Sequence, residues 1–62
     1  MSDLFAVDLP AMIDEVRREI AARKHLYPRL VAEHKMSART ATRRLEIIEA
    51  LLAKLEGERD ER

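Results

Sequence analysis

Apolar residues recur along the second half of the chain at alternating intervals of three and four positions. The run consists of Ala38, Ala41, Leu45, Ile48, Leu52 and Leu55. This spacing keeps all of its members on one face of an α-helix and is typical of a coiled-coil seam. Ser37 precedes the run and is a good helix cap, and Gly57 follows it as a stop signal. The pattern predicts a helix over residues 38–57, followed by a charged tail over residues 58–62.

The first half of the chain carries a second helical pattern. Asp8 and Pro10 mark its start, because Asp caps free N–H groups and Pro near the first helical position loses no hydrogen bond. Pro28 either kinks the helix or ends it, and we favour a kink because the apolar spacing continues beyond it. The pattern predicts a helix over residues 9–34, with its apolar positions at Leu9, Ile13, Val16, Ile20, Tyr27, Leu30 and Val31.

The two predicted helices are expected to fold back on each other. Residues 35–37 form the turn, and residues whose numbers sum to about 71 then face each other in an antiparallel pair. Apolar residues meet at each level, in the pairs Tyr27–Leu45, Ile20–Leu51 or Leu52, and Val16–Leu55. The sequence therefore predicts an all-α, antiparallel two-helix hairpin. We expect one domain over residues 1–62, with an N-terminal arm over residues 1–8.

The apolar stripe of the second helix is wider than one neighbouring helix covers. Ile47 and Leu51 widen it to about half the helix circumference, whereas one packed face needs ~100°. A chain of 62 residues without cysteine has no disulfide to support its small core, which leaves oligomerisation. We therefore expect a homodimer that forms a four-helix bundle, or a different protein in place of the second copy. The predicted protein interface consists of Leu45, Ile47, Ile48, Leu51, Leu52 and Leu55.

Charge is segregated along the chain, although the formal net charge is zero. Residues 1–16 sum to −4, residues 17–44 to +7 and residues 45–62 to −3. In a hairpin the middle segment surrounds the turn, so a basic tip lies opposite an acidic open end. The alternatives are phosphate or partner contacts at this tip, a solvated face, or head-to-tail pairing between subunits. The candidate nucleic-acid or partner contacts are Arg29, Lys35, Arg39, Arg43 and Arg44.

Signals for catalysis and metal binding are weak. His25 and His34 do not share a helix face, and no cysteine joins them, which argues against a zinc site. A small hairpin also offers no cavity that excludes water, so we expect a non-enzymatic protein without a cofactor. Arg23 falls in the apolar seam of the first helix. It either pairs with Glu49 across the hairpin or extends to solvent, and we favour the second.

The chain carries no signal for a membrane location. No apolar run approaches the ~18 residues that span a bilayer. The N-terminus carries acids instead of the basic region of a signal peptide. We expect a soluble, cytoplasmic protein that does not bind membranes. The apolar segment 4–7 either docks into a partner or covers the open end of the hairpin, and we favour the second.

Two short segments of the chain are distinctive. Tyr27-Pro28 lies within a basic stretch, and Lys35-Met36-Ser37 lies at the predicted turn, before a helix with Glu49-Ala50 ahead of its Leu-rich end. Over residues 13–55 this arrangement resembles small helical proteins encoded by bacteriophage and prophage genomes. The resemblance implies an origin in a bacterial host and no particular activity. His34 stands where the resemblance leads us to expect Gly.

Overall fold

The computed structural model describes residues 8–60, which form two α-helices joined by a short turn. Helix α1 spans Leu9–Ala32 and helix α2 spans Ala38–Asp60. The predicted all-α hairpin is confirmed. Neither helix has a stretch long and apolar enough to cross a bilayer. Most of the predicted N-terminal arm, including segment 4–7, lies outside the described residues.

Both helices begin at the predicted caps. The N–H of Ala11 donates to Asp8 Oδ1 at 3.0 Å. The N–H of Thr40 donates to Ser37 Oγ at 3.0 Å, and the Ser37 hydroxyl donates in turn to Thr40 Oγ1 at 2.9 Å. Each cap satisfies a backbone donor that has no partner inside its helix. These starts depend only on residues three positions away, which is why the local sequence predicts them.

Helix α1 continues through Pro28, so the alternative in which it ends there is wrong. Proline has no N–H to donate to the carbonyl of Lys24, and its ring crowds that carbonyl. Pro28 is exposed, while Tyr27 just before it is buried. Packing of the apolar face against α2 therefore holds the helix together across a residue that locally disfavours it.

Helix α1 ends at Ala32, two residues before the predicted end, in a Schellman turn. The N–H of Lys35 donates to the carbonyl of Leu30 at 2.8 Å, and the N–H of His34 donates to that of Val31 at 3.1 Å. His34 has a φ of 59°, the left-handed conformation that this motif requires at its turning residue. This left-handed conformation turns the chain out of the helix, and α1 therefore ends early.

Helix α2 continues through Gly57 to Asp60, so the predicted stop at Gly57 and the separate tail from residue 58 are wrong. Gly57 does not take a positive φ, and a glycine terminates a helix through that conformation. Glu56, just before it, is bound to Arg17 of α1 at 2.6 Å. This contact ties the last turns of α2 to its neighbour.

The core is one layer of side chains between the two helices. Its buried members in α1 recur at heptad spacing: Ile13, Ile20 and Tyr27. Their buried counterparts in α2 are Ala41 and Ile48, again seven apart, and Leu45, Leu52 and Leu55 are half-buried beside them. Ala38, the first member of the predicted seam, is exposed. Heptad spacing keeps the contact on one line along both helices.

Candidate interaction surfaces

One side of the hairpin is joined by ion pairs between the helices. Arg17 Nη2 lies 2.6 Å from Glu56 Oε2, and Lys24 Nζ lies 3.3 Å from Glu49 Oε2. We call this side the ion-pair flank. Arg17 and Lys24 are seven positions apart, as are Glu49 and Glu56, so both pairs follow the same edge of the buried seam. Both pairs agree with one antiparallel register of the two helices.

The opposite side of the hairpin exposes large apolar side chains. Met12 is 38% exposed, Leu26 42%, Ile47 54% and Leu51 45%. A helix turns by ~100° per residue, so these positions lie across the seam from the ion-paired residues of their own helices. Because the ion pairs occupy one flank, all four side chains lie on the other. We call this side the apolar flank.

The structure divides the predicted protein interface into two parts. Leu45, Ile48, Leu52 and Leu55 are buried or half-buried within the hairpin. Only Ile47 and Leu51 of the predicted set are exposed, as the excess width of the stripe led us to expect. Sequence reasoning missed Met12 and Leu26. Their spacing of fourteen positions was a signal, but Glu19 lies midway between them and breaks the apolar run.

The five predicted contacts of the basic tip are all exposed around the turn, but they do not form one patch. Lys35 Nζ lies 3.3 Å from Glu33 Oε1, and Arg43 Nη1 lies 3.7 Å from Glu46 Oε1. Arg29, Arg39 and Arg44 have no carboxylate within 4.0 Å among residues 8–60. Helical spacing turns them in different directions, with Arg44 on the side of α2 that carries Leu51.

Arg23 does not pair with Glu49, which binds Lys24 instead. Arg23 Nε donates to Glu19 Oε1 of its own helix at 2.9 Å, and the side chain is partly exposed. The hydrogen bond with Glu19 is the main cause that raises the pKa of Arg23. The favoured prediction, in which Arg23 extends towards solvent, agrees with this geometry.

A shallow groove of about 490 Å³ lies on the ion-pair flank near the turn. Tyr27, Pro28 and Val31 form one wall, and Ala38, Ala41, Thr42 and Leu45 form the other. The groove exists because α2 presents small side chains opposite the large side chains of α1. Tyr27 and Leu45 lie in it together, as the predicted register requires. The groove is open to solvent, so it does not shield a reaction from water.

Within residues 8–60, no three His, Cys, Asp or Glu side chains cluster so that they could hold a metal ion. Every buried residue in the same part of the chain is apolar, and no buried side-chain nitrogen or oxygen there lacks a hydrogen-bond partner. Comparison with protein-family models, curated proteins and solved structures finds no match to the chain. The functional argument therefore depends on the surfaces themselves.

Proposed function

We propose that this protein is a non-enzymatic protein-interaction module that binds through the apolar flank. The observation that carries the proposal is the exposure of Met12, Leu26, Ile47 and Leu51 on one side of a small hairpin. Burying such a side chain from full exposure contributes about 1.5–3 kcal/mol, and covering these four, which are 38–54% exposed, contributes roughly half of that each. Apolar surface gathered on one side of a small protein marks an interaction site more often than scattered single residues do.

The proposal includes self-association. A hairpin that buries one layer of side chains gains a second layer when two copies pack into a four-helix bundle. We further propose that the protein acts in the cytoplasm of a bacterial host as a phage or prophage accessory factor that modulates another protein. The resemblance of residues 13–55 to small phage-encoded helical proteins supports this part of the proposal.

Photo-crosslinking tests the proposal directly. A photoreactive amino acid at position 51, on the apolar flank, should give covalent adducts with a protein in living cells. The matched control carries the same amino acid at position 50, because Ala50 is also exposed but faces away from α1. We expect adducts at position 51 at least about tenfold above the control, because position 51 lies within the proposed contact and position 50 lies outside it. Equal yields at the two positions would show that the apolar flank is not a binding surface.

Nucleic-acid binding through the basic tip is the second candidate function. It is favoured by the exposure of Arg29, Arg39 and Arg44, whose charges are free of ion pairs within the described part of the chain. A binder of this kind should shift a random DNA duplex in a gel at low salt and lose the shift steeply as salt rises.

The matched test for the second candidate reverses three charges in each of two variants. Changing Arg29, Arg39 and Arg44 together to Glu should abolish the gel shift. The control changes Arg18, Lys54 and Arg59 to Glu, which alters the net charge equally away from the tip and should retain most of the binding. A shift that survives the first triple change, or no shift with the unaltered protein at low salt, overturns this candidate.

A further inference from the structure

The charged side chains that have no ion pair within residues 8–60 are sorted by the end of the hairpin. Three bases, Arg29, Arg39 and Arg44, lie towards the turn. Three acids lie towards the open end: Asp8, Asp14 and Glu58. Lys54 is the exception to this pattern. The charges without a partner in the hairpin therefore make the turn end positive and the open end negative.

The unpaired charges discriminate between the two ways in which a second copy can cover the apolar flank. A two-fold axis that runs along the helices places the two turns side by side and brings bases against bases. A two-fold axis that crosses the helices places the turn of one copy over the open end of the other. Only the second arrangement brings opposite charges together, and like charges across an interface cost several kcal/mol.

We propose that the occupant of the apolar flank is a second copy of this chain, packed antiparallel about a two-fold axis that crosses α2 at Leu51. The inference rests on the proposed function, because it names the partner of the same surface. Arg44, Leu51 and Glu58 are spaced by seven and lie on one side of α2. The axis at Leu51 therefore places Leu51 against its own copy and Arg44 against Glu58 of the second copy.

Helix α1 fits the same axis. Met12 and Leu26 are symmetric about Glu19, so an axis near Glu19 places Met12 of one copy over Leu26 of the other. It also places Glu19 of the two copies side by side, where each carboxylate is bound to Arg23 of its own helix at 2.9 Å. The ion pair between Lys24 and Glu49 sets the two helices so that Glu19 and Leu51 lie within about one helical turn of each other along the hairpin. One axis therefore brings the exposed apolar residues of both helices into the interface and places Arg44 of each copy beside Glu58 of the other.

Disulfide trapping tests the arrangement. The chain contains no cysteine, so only the introduced thiols can form a disulfide. A mixture of the R44C and E58C variants should oxidise to mixed dimers, and L51C alone should oxidise to a homodimer. R44C alone should not, because its two copies would be about 21 Å apart along the helix axis. R39C, on the outward side of α2, is the matched control. It should not cross-link alone or in a mixture with E58C. Self-linking of R44C without mixed R44C–E58C dimers overturns the antiparallel arrangement.

Charge reversal gives an independent readout, from the dissociation constant of the dimer measured by light scattering at several concentrations. R44E should raise it about tenfold, because two symmetry-related pairs change from attraction to repulsion. Adding E58R should restore it to within about threefold, and R39E, the matched control, should change it less than about twofold. A monomer of native helicity at every concentration overturns the inference, as does equal weakening by R39E and R44E.

The failure of this inference is distinguishable from the failure of the proposed function. A purified monomer together with adducts to a different protein at position 51 overturns the second copy as occupant and supports the apolar flank as a binding surface. A purified monomer without adducts at position 51 overturns both.

Discussion

Two positions of this hairpin carry residues that do not match their backbone conformations. His34 lies in a conformation that favours glycine, and Gly57 lies inside a helix, where alanine is favoured. His34 has a φ of 59°, where a side chain crowds the backbone and glycine has no such penalty. Gly57, the single glycine of the chain, lies inside α2 in an ordinary helical conformation. There it adds backbone freedom to the unfolded chain and packs against nothing. Both positions are therefore open to stabilising substitution.

Replacing His34 by Gly should raise the free energy of unfolding by about 1 kcal/mol. The change removes the left-handed strain, which is worth roughly 1–2 kcal/mol, and is partly offset by the greater freedom of glycine in the unfolded chain. Urea unfolding followed by circular dichroism measures it. His25→Gly is the matched control. It places glycine in the exposed interior of α1 and should lower the free energy by about 1 kcal/mol. A loss of stability in both variants would contradict the prediction.

Replacing Gly57 by Ala should raise the free energy of unfolding by about 0.5–1 kcal/mol, because alanine is the better helix former. No atom lies within 4 Å of the position that the new Cβ would take, so no clash opposes the gain. The same urea titration checks this value. The converse change, Ala53→Gly on the same helix, should lower the free energy by a similar amount. If Gly57→Ala were destabilising, the helical conformation of Gly57 would be wrong.

At the scale of the element, each helix has a well-capped N-terminus and contains one residue that disfavours a helix. Asp8 and Ser37 each satisfy a free backbone donor three residues ahead, which local sequence alone secures. Pro28 lies within α1 and Gly57 within α2, and either residue by itself argues for a helix end. Helix α1 continues because apolar residues on either side of Pro28 pack against α2, whereas in α2 the residue before Gly57, Glu56, is bound to Arg17 of α1.

Replacing Pro28 by Ala should stabilise the protein by about 1–3 kcal/mol. Alanine restores an N–H that donates to the carbonyl of Lys24, and it removes the contact between the proline ring and that carbonyl. The loss of the ring from the wall of the groove offsets part of this gain. Thermal unfolding by circular dichroism measures the change, with Arg29→Ala as the control that leaves the backbone bonding unaltered. An unchanged melting temperature for Pro28→Ala would show that the groove contact matters as much as the missing bond.

At the scale of the whole molecule, a single layer of buried side chains holds the helices together. Ile13, Ile20 and Tyr27 of α1 meet Ala41 and Ile48 of α2, and ion pairs close one flank only. Exposed ion pairs of this kind contribute about 0–1 kcal/mol each, so packing supplies most of the stability. The apolar flank on the other side is the natural place for further packing.

Ile47 and Ile48 provide the sharpest test of this division, because they are neighbours of the same size. Ile48→Ala should lower the free energy of unfolding of the monomer by about 2–4 kcal/mol, since Ile48 is buried between the helices. Ile47→Ala should change it by less than about 0.5 kcal/mol and should instead weaken association. Unfolding at a concentration where the protein is monomeric, paired with light scattering at higher concentration, separates the two effects. Equal losses of monomer stability would contradict the division between core and flank.

The amino-acid sequence by itself determined the two helices, their caps at Asp8 and Ser37 and their antiparallel pairing, because these follow from groups a few residues apart and from a regular apolar period. It also showed that the stripe through Ile47 and Leu51 is too wide for one neighbour. It did not identify Lys24 as the partner of Glu49, and it missed Met12 and Leu26 as members of the exposed surface.

Those features depend on contacts between residues far apart in the chain, and only the tertiary structure decided them. A shift of one residue turns a helical side chain by ~100°, so whether it meets the neighbouring helix or solvent depends on how the two helices are set against each other. Packing against α2 carried α1 through Pro28, and α2 continued through Gly57 beyond its ion pair with Arg17, where the local signals pointed to helix ends. Local chemistry therefore determined which elements form, and the contact between them decided where they end and which surface they leave exposed.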